Sequence, residues 1–348
     1  MSDLEARKSK HWCIVVADDH GPEYVPTLPG GTNKWPVQYC GFGESATLFQ
    51  KALRRARQIA PAAQILVTVR EANRECWEPA LWFIRPECRF ISDTRMMSPL
   101  TTAAALLSIA ADSVSHVVTI LPARCYVANE WILSAALHRL RAMLPRIPEG
   151  VGTLGMIDID DGIDEDYLVP YGTRLDPLVV VQGMARQPAG WVAGQLRQHG
   201  AMVASGILTG YAGRFAEHIV KHRPTLVSAL TKVMCAAAGG ENRLSANIYR
   251  EASRSVLRSL RWWPPTLPQR AFPVYRCGWK GLHTVRAVAR ISESCSPTID
   301  STPQLHAESE LRLSRTSMMM APTDFHRAPR EYDVLEVRGS VESGESRC

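Results

Sequence analysis

The chain has 348 residues, a hydrophobic fraction of 46% and a formal net charge of +6, which suits one large α/β core with appendages. Lysine and arginine are spread along the chain and do not form basic blocks, so composition argues against a nucleic-acid-binding protein. The first ten residues are polar and charged and no apolar run approaches about 20 residues, so we expect no signal peptide, transit peptide or membrane span.

The nine cysteines include no Cys-x-x-Cys pair, and their total is odd. This usage favours buried, reduced thiols over a disulfide framework or a zinc site. We therefore predict a cytoplasmic protein.

The elements predicted in the first half of the chain alternate between strands and helices. An apolar run at 12–17 is typical of a buried parallel strand, and a long connection separates it from a helical pattern. In order, we predict a strand at 12–17, a helix at 47–60, a strand at 64–69, a helix at 101–111, a strand at 116–121 and a helix at 129–144.

The same alternation continues in the second half. We predict strands at 152–159 and 178–182 and helices at 189–198, 211–222 and 225–238. Such alternation indicates an α/β fold with helices on both faces of a sheet. The segment 292–348 is rich in Ser, Thr, Glu, Arg and Pro, so we predict a flexible N terminus at 1–10, one domain at 11–291 and a disordered tail at 292–348.

Short motifs along the domain resemble those of the sugar-1-phosphate nucleotidyltransferases, most closely the mannose-1-phosphate guanylyltransferases. The resemblance rests on the order and spacing of many weak matches over approximately 11–291. The matching residues are Pro36, Gln38, Tyr39 and Cys40, then Thr47, Leu48, Phe49 and Gln50, then Arg95, Pro99, Leu121, Pro122, Ala123, Pro188, Ser205, Gly206, Cys277, Gly278, Trp279, Leu282 and Thr284.

This resemblance implies a Rossmann-like nucleotidyltransferase fold with a mixed, mainly parallel sheet flanked by helices. It also implies transfer of a nucleotide from a nucleoside triphosphate to a sugar 1-phosphate, giving GDP-mannose and pyrophosphate with Mg²⁺ as the metal. The substrate-binding candidates that it assigns are Gly21, Gln38, Arg95, Ser205, Gly206, Glu251 and Trp279.

The residues that would carry out this reaction are replaced at the matching positions. Asp18, Asp19 and Glu23 stand in the phosphate-binding loop, where two carboxylates at its mouth would repel phosphate. The expected loop lysine is Val37, and the two expected metal-binding aspartates are Arg124 and Gly281.

Further replacements follow the same trend, with Leu168, Ala204, Arg186 and Gln187 at expected Gly, Asn, Glu and Lys positions. We therefore assign no catalytic residue, no metal ligand and no cofactor, with Mg²⁺ as the cofactor if the chain is active.

Three functional hypotheses remain open. The first is a catalytically impaired homologue, a pseudoenzyme with a binding or regulatory role, whose candidate partners are a nucleotide or nucleotide-sugar, an active paralogue or a second copy of the chain. The second is an active nucleotidyltransferase that uses substitute groups such as Lys34, Arg124 and Arg186. The third is a cleft that now takes a different small ligand.

The acidic run at 158–166 has the wrong glycine spacing for a calcium loop, so we interpret it as a solvated loop.

Overall fold

A computed structural model of the chain describes residues 9–18, 25–26, 34–42, 44–93, 98–157, 164–172, 176–222, 227–228, 230, 240–244 and 267–294. All of them belong to the first of two compact units, Met1–Thr302, and the second unit, Pro303–Cys348, lies outside the described residues. The tail predicted at 292–348 therefore also lies outside them, apart from the last residues of one helix.

The described residues form fourteen strands and seven α-helices. The strands are β1 His11–Val16, β2 Val25–Pro26, β3 Lys34–Trp35, β4 Ile65–Arg70, β5 Arg89–Ser92, β6 Val117–Pro122, β7 Cys125–Val127, β8 Val151–Met156, β9 Tyr167–Pro170, β10 Val179–Ala185, β11 Met202–Tyr211, β12 Asn242–Leu244, β13 Gln269–Val274 and β14 Trp279–Gly281. The helices are α1 Leu48–Ile59, α2 Arg74–Trp77, α3 Ser98–Asp112, α4 Glu130–Met143, α5 Gly190–Gln198, α6 Ala212–His222 and α7 Val285–Ser294.

Ten strands form one mixed sheet in the order β12-β5-β4-β1-β6-β11-β8-β13-β10-β9. The five strands from β12 to β6 run parallel to one another. Beyond them, β11 is antiparallel to β6, β8 and β9, and β10 is antiparallel to β13 and β9, while β8 and β13 are parallel. The α/β class and the mixed sheet are confirmed, but the mainly parallel sheet is not, because parallel pairing dominates only one half.

The start of helix α1 shows how local sequence fixes the framework. The Thr47 hydroxyl accepts a hydrogen bond from Gln50 N, and the Gln50 side chain accepts one from Thr47 N. This capping box satisfies two backbone donors that a helix start leaves without helical partners. The apolar face that follows, including Phe49, Ala52 and Ala56, is buried against the sheet.

Helices α1 and α3 both pack on strand β1, and each has its own set of neighbouring elements. Helix α1 contacts β1, β6 and α4, whereas helix α3 contacts β1, β4, β5 and α6. No helix among the described residues is both long and apolar enough to cross a membrane.

Most predicted elements are found within a few residues of their predicted bounds, but half of the ten strands in the large sheet were not predicted, and the longest of these is β11. This ten-residue strand joins the parallel half of the sheet to the rest, and it extends to Tyr211, so the helix predicted from 211 begins at Ala212. The helix predicted at 225–238 falls almost wholly outside the described residues. The six cysteines that the structure describes are all free thiols.

A buried polar track crosses three strands of the sheet. The His11 side chain is buried and its Nε2 lies 2.9 Å from Thr119 Oγ1, which lies 3.0 Å from Thr209 Oγ1. Burial, together with the nearby Arg141 and His138 charges, lowers the pKa of His11 from 6.5 to about 4. The folded chain therefore holds this imidazole neutral.

The pH dependence of stability follows from that shift. Between pH 6.5 and 4 the unfolded chain binds a proton at His11 that the folded chain does not bind, so folding stability falls as pH falls through this window. We expect the wild type to lose about 3 kcal/mol more than His11→Gln between pH 7 and pH 4, measured by urea denaturation. The exposed His199→Gln serves as the matched control, and an identical loss in wild type and His11→Gln would contradict the prediction.

Candidate functional site

A buried aspartate, Asp18, lies just after the carboxyl end of strand β1. The Asp18 carboxylate is 1% exposed and accepts hydrogen bonds from the hydroxyls of Thr68 on β4, at 2.7 Å, and Thr101 on α3. It therefore ties two strands and a helix together. The prediction that the Asp18 carboxylate lies at the mouth of the loop and repels phosphate is wrong for this residue, because the carboxylate is buried and turned into the fold.

Two further predicted positions in this region also face the interior. Gln38 is buried, and its Nε2 donates to the Ala17 carbonyl at 2.8 Å. Val37 lies in an apolar cluster with Leu48 and Leu282. The position that the resemblance assigns to a lysine thus carries a core side chain.

The two expected metal-ligand positions are adjacent in the fold. Arg124 follows β6, and its carbonyl accepts a hydrogen bond from Leu282 N at 3.2 Å. Strands β7 and β14 pair in antiparallel register, with Gly281 opposite Cys125. The spacing predicted from the sequence therefore does bring residues 124 and 281 together, but they supply a guanidinium group and a bare backbone.

A carboxyl group that the sequence analysis missed fills this place. Glu165 is 7% exposed, and its Oε1 accepts a hydrogen bond from Gly281 N at 3.1 Å. Its Oε2 is buried, has no hydrogen-bond partner among the residues that the structure describes, and lies 3.8 Å from His283 Nε2. A Cβ on Gly281 would lie 2.8 Å from Glu165 Oε2 and 2.5 Å from His283 Nε2, so a side chain at position 281 would require these two side-chain ends to move.

The surroundings of Glu165 favour its neutral form. Burial is the main cause and raises the pKa of Glu165 to about 8, with the Asp164 and Asp166 charges adding to the rise. The hydrogen bond from Gly281 N and the Arg124 charge act in the opposite direction on this pKa. At neutral pH most Glu165 side chains are therefore protonated.

The two flanking aspartates are engaged elsewhere. Asp164 accepts a hydrogen bond from the Thr284 hydroxyl at 3.3 Å. Asp166 accepts one from Gln187 N at 3.1 Å and lies 3.9 Å from Arg186 Nη1. The interpretation of 158–166 as a solvated loop is thus wrong for Glu165, whereas 158–163 lie outside the described residues.

This constellation does not suit a divalent metal ion. Mg²⁺ prefers several carboxylate or carbonyl oxygens, and here one largely protonated carboxyl group lies beside a backbone N–H and an imidazole. Within the described parts of the chain, no group of three or more His, Cys, Asp or Glu side chains is placed to hold a metal ion.

The Ser205–Gly206 pair lies beside the end of β6. Ser205 Oγ donates to the Leu154 carbonyl at 2.7 Å and accepts from Ile207 N at 3.1 Å, which stabilises an irregularity in β11. Gly206 has a φ of 73°, and a Cβ there would lie 3.5 Å from Pro122 Cγ. The pair therefore lies beside Pro122, and the Ser205 hydroxyl is used within the fold.

The remaining predicted residues divide into two sets. Trp279 is described and is buried in the main apolar core, at 2% exposure. The structure describes neither Gly21, Glu23, Arg95 nor Glu251, nor the side chain of Lys34. Their assigned roles stay predictions.

Glu165 and His283 were not predicted as site residues. Glu165 sits in a run of six acidic residues within nine, so its charge pattern indicates solvent exposure. The local signal that could have marked it is the change from acidic to apolar residues at Tyr167, where strand β9 begins. Its contact with Gly281 joins residues 116 positions apart and has no local signature.

Comparison with known proteins supports the fold. No protein-family model matches the sequence, and no curated protein matches it. Mannose-1-phosphate geranyltransferase from Thermus thermophilus has a similar structure, with 20% identity, a TM-score of 0.60 and coverage of 81% of this chain and 79% of that one. Mannose-6-phosphate isomerase from Helicobacter pylori is similar with 12% identity, a TM-score of 0.56 and coverage of 78% and 99%.

At these identities the similarity shows a shared fold. The predicted resemblance to sugar-1-phosphate nucleotidyltransferases is confirmed at that level. Because one fold carries different reactions, the activity has to be argued from the site.

The pKa of Glu165 predicts a specific pH effect. The unfolded chain releases this proton above about pH 4.5, whereas the folded chain keeps it up to about pH 8, so stability falls as pH rises across this range. We expect Glu165→Gln to remove a loss on the order of 4 kcal/mol between pH 5 and pH 8.5.

Urea denaturation at a series of pH values measures this loss. The exposed Glu217→Gln is the matched control and should follow the wild type. A constant difference between wild type and Glu165→Gln at every pH would contradict the assigned titration.

Proposed function

We propose that this chain is a nucleotidyltransferase-fold protein that does not carry out metal-assisted nucleotidyl transfer and instead binds a nucleotide, nucleotide-sugar or sugar phosphate near the carboxyl end of β6. The observation that supports this most strongly is the Arg124, Gly281 and Glu165 arrangement. The two positions expected to carry metal-binding carboxylates are adjacent in the fold, and Gly281 N is hydrogen-bonded to the Glu165 carboxyl group.

The rate of nucleotidyl transfer depends on the groups that are replaced in this chain. In-line transfer between phosphates depends on positioning and on stabilising the charge that develops as pyrophosphate leaves. Loss of a single preorganised stabilising group typically costs roughly 10² to 10³ in rate. Here the metal-binding carboxylates at 124 and 281 and the lysine at 37 are all replaced, which leaves little stabilisation.

Binding without turnover is consistent with the charges that remain. Arg124, which follows β6, carries a fixed positive charge, and the neighbouring Gly281 N is a hydrogen-bond donor that now binds Glu165 Oε1. A guanidinium group and a backbone N–H are typical partners of a phosphate group. As a non-catalytic homologue the chain would act on an active paralogue or on a second copy of itself.

A second candidate function is an active nucleotidyltransferase that uses Arg124 in place of a metal ion. The buried position of Arg124 favours it. Against it, Arg186 lies 3.9 Å from Asp166, and a buried carboxyl group occupies the space beside Gly281. A cleft adapted to another small ligand is the third candidate.

A pyrophosphate-release assay tests the proposal. Purified full-length chain with Mg²⁺, GTP and mannose 1-phosphate should release no pyrophosphate above the background without protein, because the metal-binding carboxylates are missing. Release above that background would contradict the proposal and favour the active enzyme.

Thermal-shift titration tests the binding half of the proposal. GTP or GDP-mannose at 100 times its dissociation constant should add about 2.7 kcal/mol to stability. Arg124→Gln should abolish the shift, whereas Arg139→Gln on the exposed face of α4 should keep it. No shift with either ligand would contradict nucleotide binding and favour the third candidate.

A further inference from the structure

We propose that residues 241–244, which we call the flap, are held on the sheet by a latch of ion pairs and open separately from the rest of the fold when salt weakens those pairs. The flap comprises Glu241 and strand β12. The opening goes beyond the proposed function and does not depend on it.

The backbone alone holds the flap weakly. Strand β12 has three residues, lies at the end of the strand order and pairs with β5 alone among the described strands. This pairing runs from Asn242, opposite Phe90, to Leu244, opposite Ser92. A strand this short makes few hydrogen bonds to its neighbour, and such segments open locally before the whole fold unfolds. Side-chain contacts therefore decide how often the flap opens.

Three ion pairs cross from the flap to the residues beside it. Glu241 Oε2 lies 2.7 Å from Arg74 Nη2, and Glu241 Oε1 lies 3.4 Å from Arg89 Nη1. Arg243 Nη1 lies 3.2 Å from Glu71 Oε2. Arg74 and Glu71 are in turn joined by hydrogen bonds of 2.9 and 3.1 Å. These five side chains form one connected network, which we call the latch, and networks stabilise more than isolated surface pairs do.

Glu241 is the central member of the latch. Its side chain is 16% exposed, so water screens its ion pairs less than it screens pairs on the open surface. Burial alone would raise the pKa of Glu241, but the hydrogen bonds and charges of Arg74 and Arg243 outweigh burial and lower this pKa. The carboxylate is therefore charged at neutral pH, and removing its charge would weaken two of the three links.

Two other contacts of the flap do not depend on charge. The Leu244 side chain is buried in the main apolar core, and Asn242 Nδ2 donates to the Glu87 carbonyl at 2.8 Å. These contacts specify where the flap closes. The ion pairs, which include the half-exposed Arg243 side chain, are the part that responds to salt.

The flap belongs to the strands that lead to two predicted substrate-binding candidates. Along the sequence, Arg95 is the third residue after β5 and Glu251 is the seventh after β12. Opening of the flap separates these two strands. An effect of the latch on ligand binding would depend on the proposed function, whereas the opening itself does not.

Hydrogen–deuterium exchange of the full-length chain at pH 7, followed by mass spectrometry, measures the opening. In the wild type, the peptide that contains the flap should exchange roughly threefold faster at about 0.5 M than at about 0.05 M KCl, because salt screens the ion pairs. The peptide that contains β1 should respond much less, since β1 is paired on both sides within the sheet. This readout needs no variant to fold.

A variant and a matched control assign the effect to the latch. Glu241→Gln removes the central charge with little change in shape, so the flap should exchange about tenfold faster at low salt and respond less to added salt. Glu87→Gln makes the same substitution at the same edge of the sheet, in an exposed pair with Arg85 at 3.1 Å. Exchange of the flap in this control should stay within about twofold of the wild type.

Three results would each overturn the inference. They are flap exchange in the wild type that does not respond to salt, an equal increase in Glu241→Gln and Glu87→Gln, and an increase in Glu241→Gln that is equally large in the β1 peptide. The last result would show that the ion pairs stabilise the whole fold. None of these readouts uses a nucleotide, so a failure of nucleotide binding would contradict the proposed function and leave this test standing.

Discussion

A carboxyl group that is buried away from water has to be protonated, paired with a cation or hydrogen-bonded. All three conditions act on Glu165. Gly281 N supplies the hydrogen bond and Arg124 supplies the charge, while burial favours the proton. This one group connects the segment before β9 to β14.

The framework could be predicted wherever a local pattern specifies it. The apolar run of β1 and the Thr47–Gln50 capping box of α1 are both encoded within a few residues. Strand β11 could not be predicted this way, because Ser205, Gly206 and Gly210 interrupt its apolar pattern. Its antiparallel direction relative to β6 is set by long-range pairing, which is also why a mainly parallel sheet was the wrong expectation.

The site could be predicted only in part, for a similar reason. Motif spacing brought positions 124 and 281 together correctly, since both adjoin short strands that pair with each other. It could not reveal that Glu165 leaves an acidic run and becomes buried against Gly281. Likewise, the carboxylate of Asp18 turns inward because Thr68 and Thr101 supply hydroxyl donors that lie far away in sequence.

The most direct measurement is the binding of Mn²⁺ to the full-length chain, followed by electron paramagnetic resonance at pH 7 in the absence of nucleotide. With a guanidinium group at 124 and no side chain at 281, the signal of free Mn²⁺ should persist up to millimolar metal. Stoichiometric binding at micromolar Mn²⁺ that is lost in Glu165→Gln would show that this carboxyl is a metal ligand. That result would contradict the proposal that the site at positions 124, 165 and 281 binds no metal ion.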